Sequence, residues 1–150
     1  SDPVAALTEM RRVARPGGLV AARDADYAAM TWYPLDPRLE RWLEIYHAVA
    51  RGNGAEPDAG RRLTAWARAA GFSRITPSAS VWLFADAEAR AGLGETWAER
   101  TRSSGLAEQA LATGVASRDE LEAIATGWRE WMAHPDAWFS VLHGEILARS

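Results

Sequence analysis

The fold is decided by the stretch Glu9-Met-Arg-Arg-Val-Ala-Arg-Pro-Gly-Gly-Leu-Val-Ala-Ala-Arg-Asp-Ala-Asp26, which predicts a helix end, a turn and a short strand. Upstream of it, Asp2 can cap the helix, and Pro3 suits the first turn because a missing N–H costs nothing there. Four apolar residues recur at helical spacing and predict one apolar helix face: Val4, Leu7, Met10 and Val13.

The turn and the strand follow directly from this helix. Pro16 predicts the helix end, and Gly17 and Gly18 are expected to supply the positive φ that lets the chain reverse. Residues 19–22, Leu-Val-Ala-Ala, are apolar without alternation, which is typical of a strand covered on both faces of a parallel sheet. The pattern therefore predicts an α/β protein.

The next sixty residues predict two helices between two strands. Residues 24–37 are interpreted as an aromatic loop, and residues 36–51 predict a helix with apolar residues on one side. Asp58 is expected to cap a second helix over residues 59–70, which Gly71 ends. Residues 72–85 predict a strand, and Pro77 within it favours a bend or a sheet edge.

The last third predicts a helical insert and a closing strand. Residues 86–135 contain several helical patterns, one of them opened by the capping box Ser117-Arg118-Asp119-Glu120. Residues 137–148 predict the final strand, which Gly144 is expected to weaken or bulge. Residues 1–150 are thus predicted to form a single partial domain, divided into residues 1–85, the insert 86–135 and the closing strand 136–150.

Composition excludes several classes of function. A net charge of −3 gives no electrostatic case for binding nucleic acid or an anionic membrane, and no apolar run reaches membrane-spanning length. The chain has no Cys, which excludes disulfides and thiolate ligands and fits a cytoplasmic protein. Its three His are too scattered to predict a metal site.

Two phrases resemble the class I S-adenosylmethionine (SAM)-dependent methyltransferases, in particular the ubiquinone/menaquinone-biosynthesis-like group. The first is Arg-Val-Ala-Arg-Pro-Gly-Gly at residues 12–18, which is similar to the end of the family's helix before its fifth strand, with Ala14 where Leu is usual. The second is Ala-Ala-Gly-Phe-Ser-Arg-Ile at residues 69–75, which is similar to the helix end before the sixth strand. The distance between the two phrases also fits the family.

This resemblance implies a fold and a missing half. The family's sheet order is 3-2-1-4-5-7-6, so this chain would supply the C-terminal half of a Rossmann-like sheet, strands five, six and seven, with a helical insert between the last two. Strand five would then lack its neighbour, strand four. Because an open strand edge invites pairing, we expect the fragment to self-associate through that edge.

The resemblance also implies SAM as the cofactor of the parent protein. The family binds SAM through a glycine-rich loop after its first strand and an acid after its second. Here only Gly52-Asn53-Gly54 superficially fits, and it lies between two helical patterns, which predicts a loop. We therefore expect no cofactor-binding residues in this chain, and no tight SAM binding or turnover by the fragment alone.

Three residues are candidates for proton transfer. Ligands of open α/β sheets lie beyond the carboxyl ends of the strands, which places Asp24 and Asp26 nearest the chemistry, as a base or as holders of a substrate hydroxyl. The alternative is that one caps a turn and the other is solvated. His47, on the helix after this segment, could accept a proton, although a helical His beside an aromatic face is more often simply packed.

The aromatic residues suggest how an acceptor would be held. Eight Trp is a high number for this length, and in the resembling family the segments after strands five and six form the roof over the acceptor. A small, aromatic or hydrophobic acceptor would suit such a roof. The candidate substrate-binding residues are Tyr27, Trp32, Tyr33, Trp97, Arg100 and Trp131.

Each of these candidates also has a structural interpretation. Trp residues at helical spacing usually fill a core, and a surface ion pair is the alternative for Arg100. The sequence accordingly leaves two functions open. The first is a methyltransferase fragment acting on a small-molecule acceptor, and the second is a non-catalytic module that binds a hydrophobic ligand or associates with itself.

Overall fold

The computed structural model describes residues 2–149, which form helices and three long strands. The strands are hydrogen-bonded in the order β1-β3-β2, so the last strand lies between the other two in an antiparallel sheet. In chain order the elements are α1 (Pro3–Val13), β1 (Leu19–Tyr33), α2 (Pro37–Gly52), a 3₁₀ helix (Ala59–Arg62), α3 (Leu63–Ala69), β2 (Arg74–Phe84), α4 (Ala87–Ser103), α5 (Gly105–Ala112), α6 (Arg118–Ala133) and β3 (Trp138–Arg149).

The predicted α/β class is confirmed, and the antiparallel sheet is compatible with part of the resembling family's sheet, while the correspondence of its strands to five, seven and six stays a prediction. The predicted helical insert is also confirmed, since α4, α5 and α6 separate β2 from β3. The order leaves β1 and β2 at the two edges of the sheet, which agrees with the proline at position 77 of β2. Pairing of the β1 edge with another copy stays a prediction.

Helix starts are confirmed where a polar cap precedes an apolar pattern. The Asp2 carboxylate accepts a hydrogen bond from the Ala5 amide, Asp36 accepts from Arg38, and Asp86 accepts from Ala89. Ser117 and Glu120 form the predicted capping box at the start of α6. Each of these side chains satisfies an amide that has no partner within the helix, which explains why local sequence placed these starts correctly.

The prediction for β1 was wrong in two respects. The strand continues through the segment interpreted as an aromatic loop and ends only at Tyr33. Its first residues are also not covered on both faces: Leu19 is 54% exposed, whereas Val20 is buried. The parallel, doubly covered strand inferred from residues 19–22 is therefore an antiparallel edge strand with one covered face.

Two local predictions also need correction. Of the two glycines after α1, only Gly17 has a positive φ, of 73°. Gly18 instead lies so close to the Arg15 carbonyl that a Cβ would be 2.7 Å from its oxygen. Asp58 makes no capping hydrogen bond to the helix that follows it; its carboxylate accepts from the Ala28 amide of β1.

The chain folds into two compact units, each built from separate stretches of sequence. The first unit comprises the described residues up to Met30, Glu56–Trp82, and those from Val141 onward. Its core packs α1 and α3 against one face of the strands and consists of small and aliphatic residues around one ring: Leu7, Val20, Leu63, Ala67, Ala70, Phe72, Ile146 and Ala148.

The second unit comprises Thr31–Ala55 and Leu83–Ser140. In it α4 packs mainly against α6, and α2 also contacts α6. The Arg90 guanidinium joins the two ends of the helical insert: its Nη1 donates to the carbonyl oxygens of Ala85 at 2.9 Å and Pro135 at 2.7 Å. This arginine therefore fixes the insert at the positions where it leaves and rejoins the strands.

Candidate functional site

The predicted site residues are divided between the two units. Asp24, Asp26 and Tyr27 belong to the first unit, on β1. The remaining candidates belong to the second unit: Trp32, Tyr33, His47, Trp97, Arg100 and Trp131.

Asp26 is a buried carboxylate held by an arginine. Its side chain is 2% exposed, and Arg61 of the 3₁₀ helix binds both oxygens, with Nε 2.5 Å from Oδ2 and Nη2 2.6 Å from Oδ1. A bidentate guanidinium is the geometry that best compensates a desolvated carboxylate. Because both oxygens are engaged and solvent is excluded, Asp26 is placed as an anchor of the 3₁₀ helix.

The segment around this ion pair lies directly on β1. The Tyr27 amide donates to the Pro57 carbonyl at 3.2 Å, and the Ala28 amide donates to the Asp58 carboxylate at 2.9 Å. Gly60 comes so close that a Cβ on it would lie 2.8 Å from the Asp24 carbonyl oxygen. The chain between α2 and α3 is therefore built against the strand that carries the candidate acids, and sequence spacing alone did not reveal this.

Asp24 is the accessible member of the acid pair. It is exposed, and its Oδ1 accepts a hydrogen bond from the neighbouring Ala25 amide at 2.8 Å. One carboxylate of the two is thus structural and the other reaches solvent. The alternative considered from the sequence was a turn cap and a solvated acid, whereas the buried acid is in fact held by Arg61; the part each acid plays in proton transfer stays a prediction.

All three of the predicted substrate-binding Trp residues lie in a ring assembly inside the second unit, which we call the aromatic cluster. Trp42 contacts the Trp97 and Trp128 rings with centroid distances of 4.5 and 5.0 Å, and Trp131 contacts Phe139 at 5.8 Å. The side chains of the cluster are Trp32, Trp42, Tyr46, Trp97, Trp128, Trp131 and Phe139.

Burial defines how these rings can act. Trp32 and Trp97 are 8% exposed and Trp131 is 2% exposed, so the three form part of the core in this structure. The indole N–H of Trp131 donates to the Tyr33 carbonyl at 3.1 Å. The geometry shows that these three Trp side chains are core residues. Their contact with an acceptor stays a prediction.

Several polar atoms of this core have no hydrogen-bond partner among residues 2–149. They are the indole nitrogens of Trp32, Trp42 and Trp128 and the Thr101 hydroxyl. A buried donor without an acceptor costs roughly 1–3 kcal/mol, so each such group calls for a reason. For Trp42 and Trp128 the rings meet edge to face at 88°, an arrangement that brings the positive edge of one ring to the negative face of the other.

The other candidates in the second unit are nearer the surface. Tyr33 is 57% exposed, and its ring is edge-on to His134 with centroids 6.2 Å apart. The Arg100 guanidinium carbon lies 5.5 Å from the centre of the Trp97 ring, so Arg100 covers the aromatic cluster rather than forming the ion pair considered as its alternative. The His47 Nδ1 lies 2.8 Å from the Leu43 carbonyl oxygen one turn earlier on α2.

Sequence reasoning missed a groove between α2 and α5. Two adjoining depressions of about 190 and 300 Å³ share Val49, Asn53 and Gln109. Across them the side-chain amide of Asn53 donates a hydrogen bond to Oε1, the side-chain oxygen of Gln109, at 2.5 Å. The remaining lining is Tyr46, Ala48, Ala50, Gly52, Leu106, Thr113 and Val115, which is mostly apolar. The two helices are distant in the sequence, and no local pattern pairs them.

Arginines on α2 tie this helix to its neighbours. Arg41 Nε lies 2.8 Å from the Glu120 carboxylate, and hydrogen bonding from Arg41 lowers the pKa of Glu120. Hydrogen bonding from Arg38 likewise lowers the pKa of Asp36, below its usual 3.8. A lowered folded-state pKa stabilises the fold above the unfolded value, and this contribution is lost as the pH falls through the folded value. These ion pairs therefore stabilise the folded state at neutral pH.

The chain is similar to proteins named methyltransferases, although no protein-family model matches it. It is 33% identical over 149 residues to an uncharacterized methyltransferase of Schizosaccharomyces pombe, covering 97% of this chain and 52% of that protein. It is 32% identical over 155 residues to a probable methyltransferase of Aspergillus luteorubrus, covering 97% of this chain and 53% of that protein. This similarity supports a methyltransferase. The chain spans about half the length of these relatives, which is consistent with a fragment of a methyltransferase.

Two further features are absent from residues 2–149. No helix in that range combines the length and the hydropathy needed to cross a bilayer. No group of three or more His, Asp and Glu side chains in the same range is arranged to hold a metal ion.

Proposed function

We propose that the chain is the C-terminal part of a class I SAM-dependent methyltransferase whose acceptor is a small aromatic or hydrophobic molecule. In this proposal β1, β2 and β3 correspond to strands five, six and seven of the family. The observation that carries it is the similarity of 97% of the chain to two proteins named methyltransferases. The strand order β1-β3-β2 and the helical insert before β3 support the same assignment.

The segment Gly52-Asn53-Gly54, which superficially resembles a cofactor loop in sequence, does not have the geometry of one. Gly52 is the last residue of α2, Asn53 is its C-cap, and Gly54 follows with a φ of 68°. A helix C-terminus presents carbonyl oxygens, whereas the family's cofactor loop presents amides at a helix N-terminus. This segment therefore lacks the geometry of the family's cofactor loop, which supports our assignment of cofactor binding to the remainder of the parent protein.

Of the two candidate acids on β1, one is accessible to an acceptor. Asp24 is the base candidate that we retain, because it is exposed whereas both oxygens of Asp26 are engaged by Arg61. When the acceptor is a hydroxyl, methyl transfer needs a group that takes its proton, and a solvent-accessible carboxylate can do so. Holding the acceptor in place then supplies the rest of the rate enhancement through orientation.

The test is a calorimetric titration of SAM into this chain and into a longer protein that includes the remainder. We expect no micromolar binding by the chain alone and micromolar binding by the longer protein. Far-ultraviolet circular dichroism of the chain serves as the control that it is folded. Micromolar binding by the folded chain alone would place the cofactor site within these 150 residues and overturn the assignment.

A second candidate function is non-catalytic binding of a hydrophobic ligand, which the α2–α5 groove favours. Its lining is mostly apolar, with one amide pair that can orient a polar group. A planar phenol titrated into the isolated chain distinguishes this function from the first. Saturable quenching of tryptophan fluorescence, with no effect of SAM, would support the binding module.

A further inference from the structure

The chain contains a single Asn and a single Gln, and the fold brings their two side chains together. Asn53 and Gln109 lie 56 residues apart in the sequence, yet Nδ2 of Asn53 donates a hydrogen bond to Oε1 of Gln109 across the groove between α2 and α5. Asn53 directly follows α2, and Gln109 lies within α5. This amide pair therefore joins the two walls of the groove.

Helix capping does not account for the side chain of Asn53. Asparagine is common where helices end, but here the backbone N–H of Asn53 makes the capping contacts, to carbonyl oxygens in the last turn of α2. The side chain is directed to Gln109 instead. Both residues of the amide pair are exposed, so a ligand in solvent can reach them.

A single hydrogen bond leaves half of each amide open. A side-chain amide has an NH2 donor and an oxygen acceptor, and this bond uses the donor of Asn53 and the acceptor of Gln109. Among residues 2–149, Oδ1 of Asn53 and Nε2 of Gln109 make no further hydrogen bond. The amide pair thus presents one acceptor and one donor at the groove.

The groove around the amide pair is largely apolar. Among the described residues that line its two depressions none is charged, so an ionised ligand would lose hydration there without gaining a counter-charge. The larger depression, of about 300 Å³, is at the lower end of the roughly 300–1,000 Å³ of small-ligand pockets. Tyr46 lines the other depression and contacts the Trp97 ring with centroids 5.8 Å apart, so a ligand there adjoins the aromatic cluster.

We propose that this groove binds a neutral ring that carries an N–H donor and a C=O acceptor on one edge, as a lactam does. The lactam N–H donates to Oδ1 of Asn53, the lactam oxygen accepts from Nε2 of Gln109, and the ring lies against the apolar wall. A ring that lacks the N–H leaves Oδ1 of Asn53 without a donor from the ligand. The inference deepens the second candidate function, on which it rests, and is independent of methyl transfer.

The composition of the chain makes a direct test possible. Because there is one Asn and one Gln, a nitrogen-15 correlation spectrum of the chain contains only two side-chain amide NH2 groups. The chain is titrated with 2-quinolone, a bicyclic lactam, and with N-methyl-2-quinolone, the same ring without the donor. Gln109→Met removes one amide at similar side-chain length. Glu108→Met is the matched control, because Glu108 is the adjacent exposed residue of α5 and lines neither depression.

We expect 2-quinolone to shift both NH2 signals saturably and to bind about fivefold or more tightly than N-methyl-2-quinolone, the effect of one lost hydrogen bond. Gln109→Met should weaken the binding of 2-quinolone by about the same factor, and Glu108→Met should leave it unchanged. Equal affinities for the two quinolones would overturn the inference. An unchanged affinity in folded Gln109→Met would overturn it as well.

Further outcomes separate this inference from the proposed functions. If Gln109→Met does not fold by circular dichroism, the two quinolones compared on the unaltered chain still decide. Saturable binding of 2-naphthol with no preference for 2-quinolone would retain the groove as a hydrophobic-ligand site and reject the lactam. A lactam preference in a chain that also binds SAM at micromolar concentration would retain this inference and reject our assignment of the cofactor site. No saturable binding of any of the three ring compounds would reject both the inference and the second candidate function.

Discussion

The cores of the two units differ in how many large aromatic side chains they contain, although both also bury aliphatic residues and alanines. The first unit packs alanines, a few aliphatic residues and one Phe, and its backbone segments come into direct contact where Gly60 meets Gly144. The second unit is filled by the aromatic cluster, in which Trp42, Trp128 and Phe139 are almost fully buried. One core therefore depends on the absence of side-chain volume, and the other depends on large rings.

The two units also differ in how deeply their charged side chains are buried. The first unit contains Asp26, whose carboxylate is inaccessible and balanced by Arg61. Among the described residues of the second unit, the ion pairs that involve Asp36, Glu120 and Glu130 lie nearer solvent. We infer that mutations in the two units will fail for different reasons, and this inference can be tested by matched substitutions.

The largest effect is expected in the second unit from Trp128→Ala. Trp128 is 0% exposed and contacts four other rings, those of Trp42, Trp97, Trp131 and Phe139. Removing it leaves a large cavity, so the free energy of unfolding measured in urea should fall by about 3–5 kcal/mol. Trp138→Ala is the control, since Trp138 is 38% exposed, and about 1 kcal/mol or less is expected. Similar losses for both would show that the cluster does not hold the unit together.

The sequence predicted what is local and failed where distant segments meet. The start of α6 followed from the capping box of Ser117 and Glu120, because a cap and the amide it binds lie within a few residues of each other. The α/β class, too, was predictable from the sequence. In contrast, acids and aromatic residues in positions 24–33 suggested a loop, although they form the second half of β1.

The candidate site shows the same limit. The burial of Asp26 depends on Arg61, which lies 35 residues further along the chain, and no spacing rule joins the two. Trp97 and Trp131 are far from Trp32 in the sequence, yet all three lie in one core. Local periodicity identified which residues are apolar, but only the tertiary fold decides whether a ring faces a ligand or another ring.

The second prediction compares two arginines. Arg61→Met leaves the buried Asp26 carboxylate without its partner, and we expect a clear loss in unfolding free energy, larger than the loss from Arg38→Met. Arg38→Met removes a guanidinium that pairs with Asp36 and Glu130 near the surface, and a loss below about 1 kcal/mol is expected. Urea unfolding at neutral pH measures both variants.

A rescue experiment sharpens this comparison. Asp26→Asn in the Arg61→Met background removes the unpaired charge, so it should recover part of the lost stability. Two outcomes would contradict this account: no recovery of stability, or an equal loss of unfolding free energy for Arg61→Met and Arg38→Met. Either one would show that the Asp26 carboxylate does not depend on Arg61 for its burial.

The smallest effect tests the claim that the first unit depends on missing volume. A Cβ at Gly144 would lie 2.8 Å from the Gly60 Cα and closer still to its carbonyl group, so Gly144→Ala forces two backbone segments apart. We expect a loss of about 1–3 kcal/mol, measured as a lower urea midpoint at constant slope.

The control is Gly92→Ala within α4, where no atom lies within 4 Å of the added Cβ. Because alanine is the better helix former, Gly92→Ala should raise stability by about 0.5–1 kcal/mol. Opposite signs for the same added methyl group would confirm that close backbone contact, rather than glycine content, sets the stability of the first unit. A neutral Gly144→Ala would mean that the 3₁₀ helix moves aside at no cost, and the contrast between the two cores would then rest on the aromatic cluster alone.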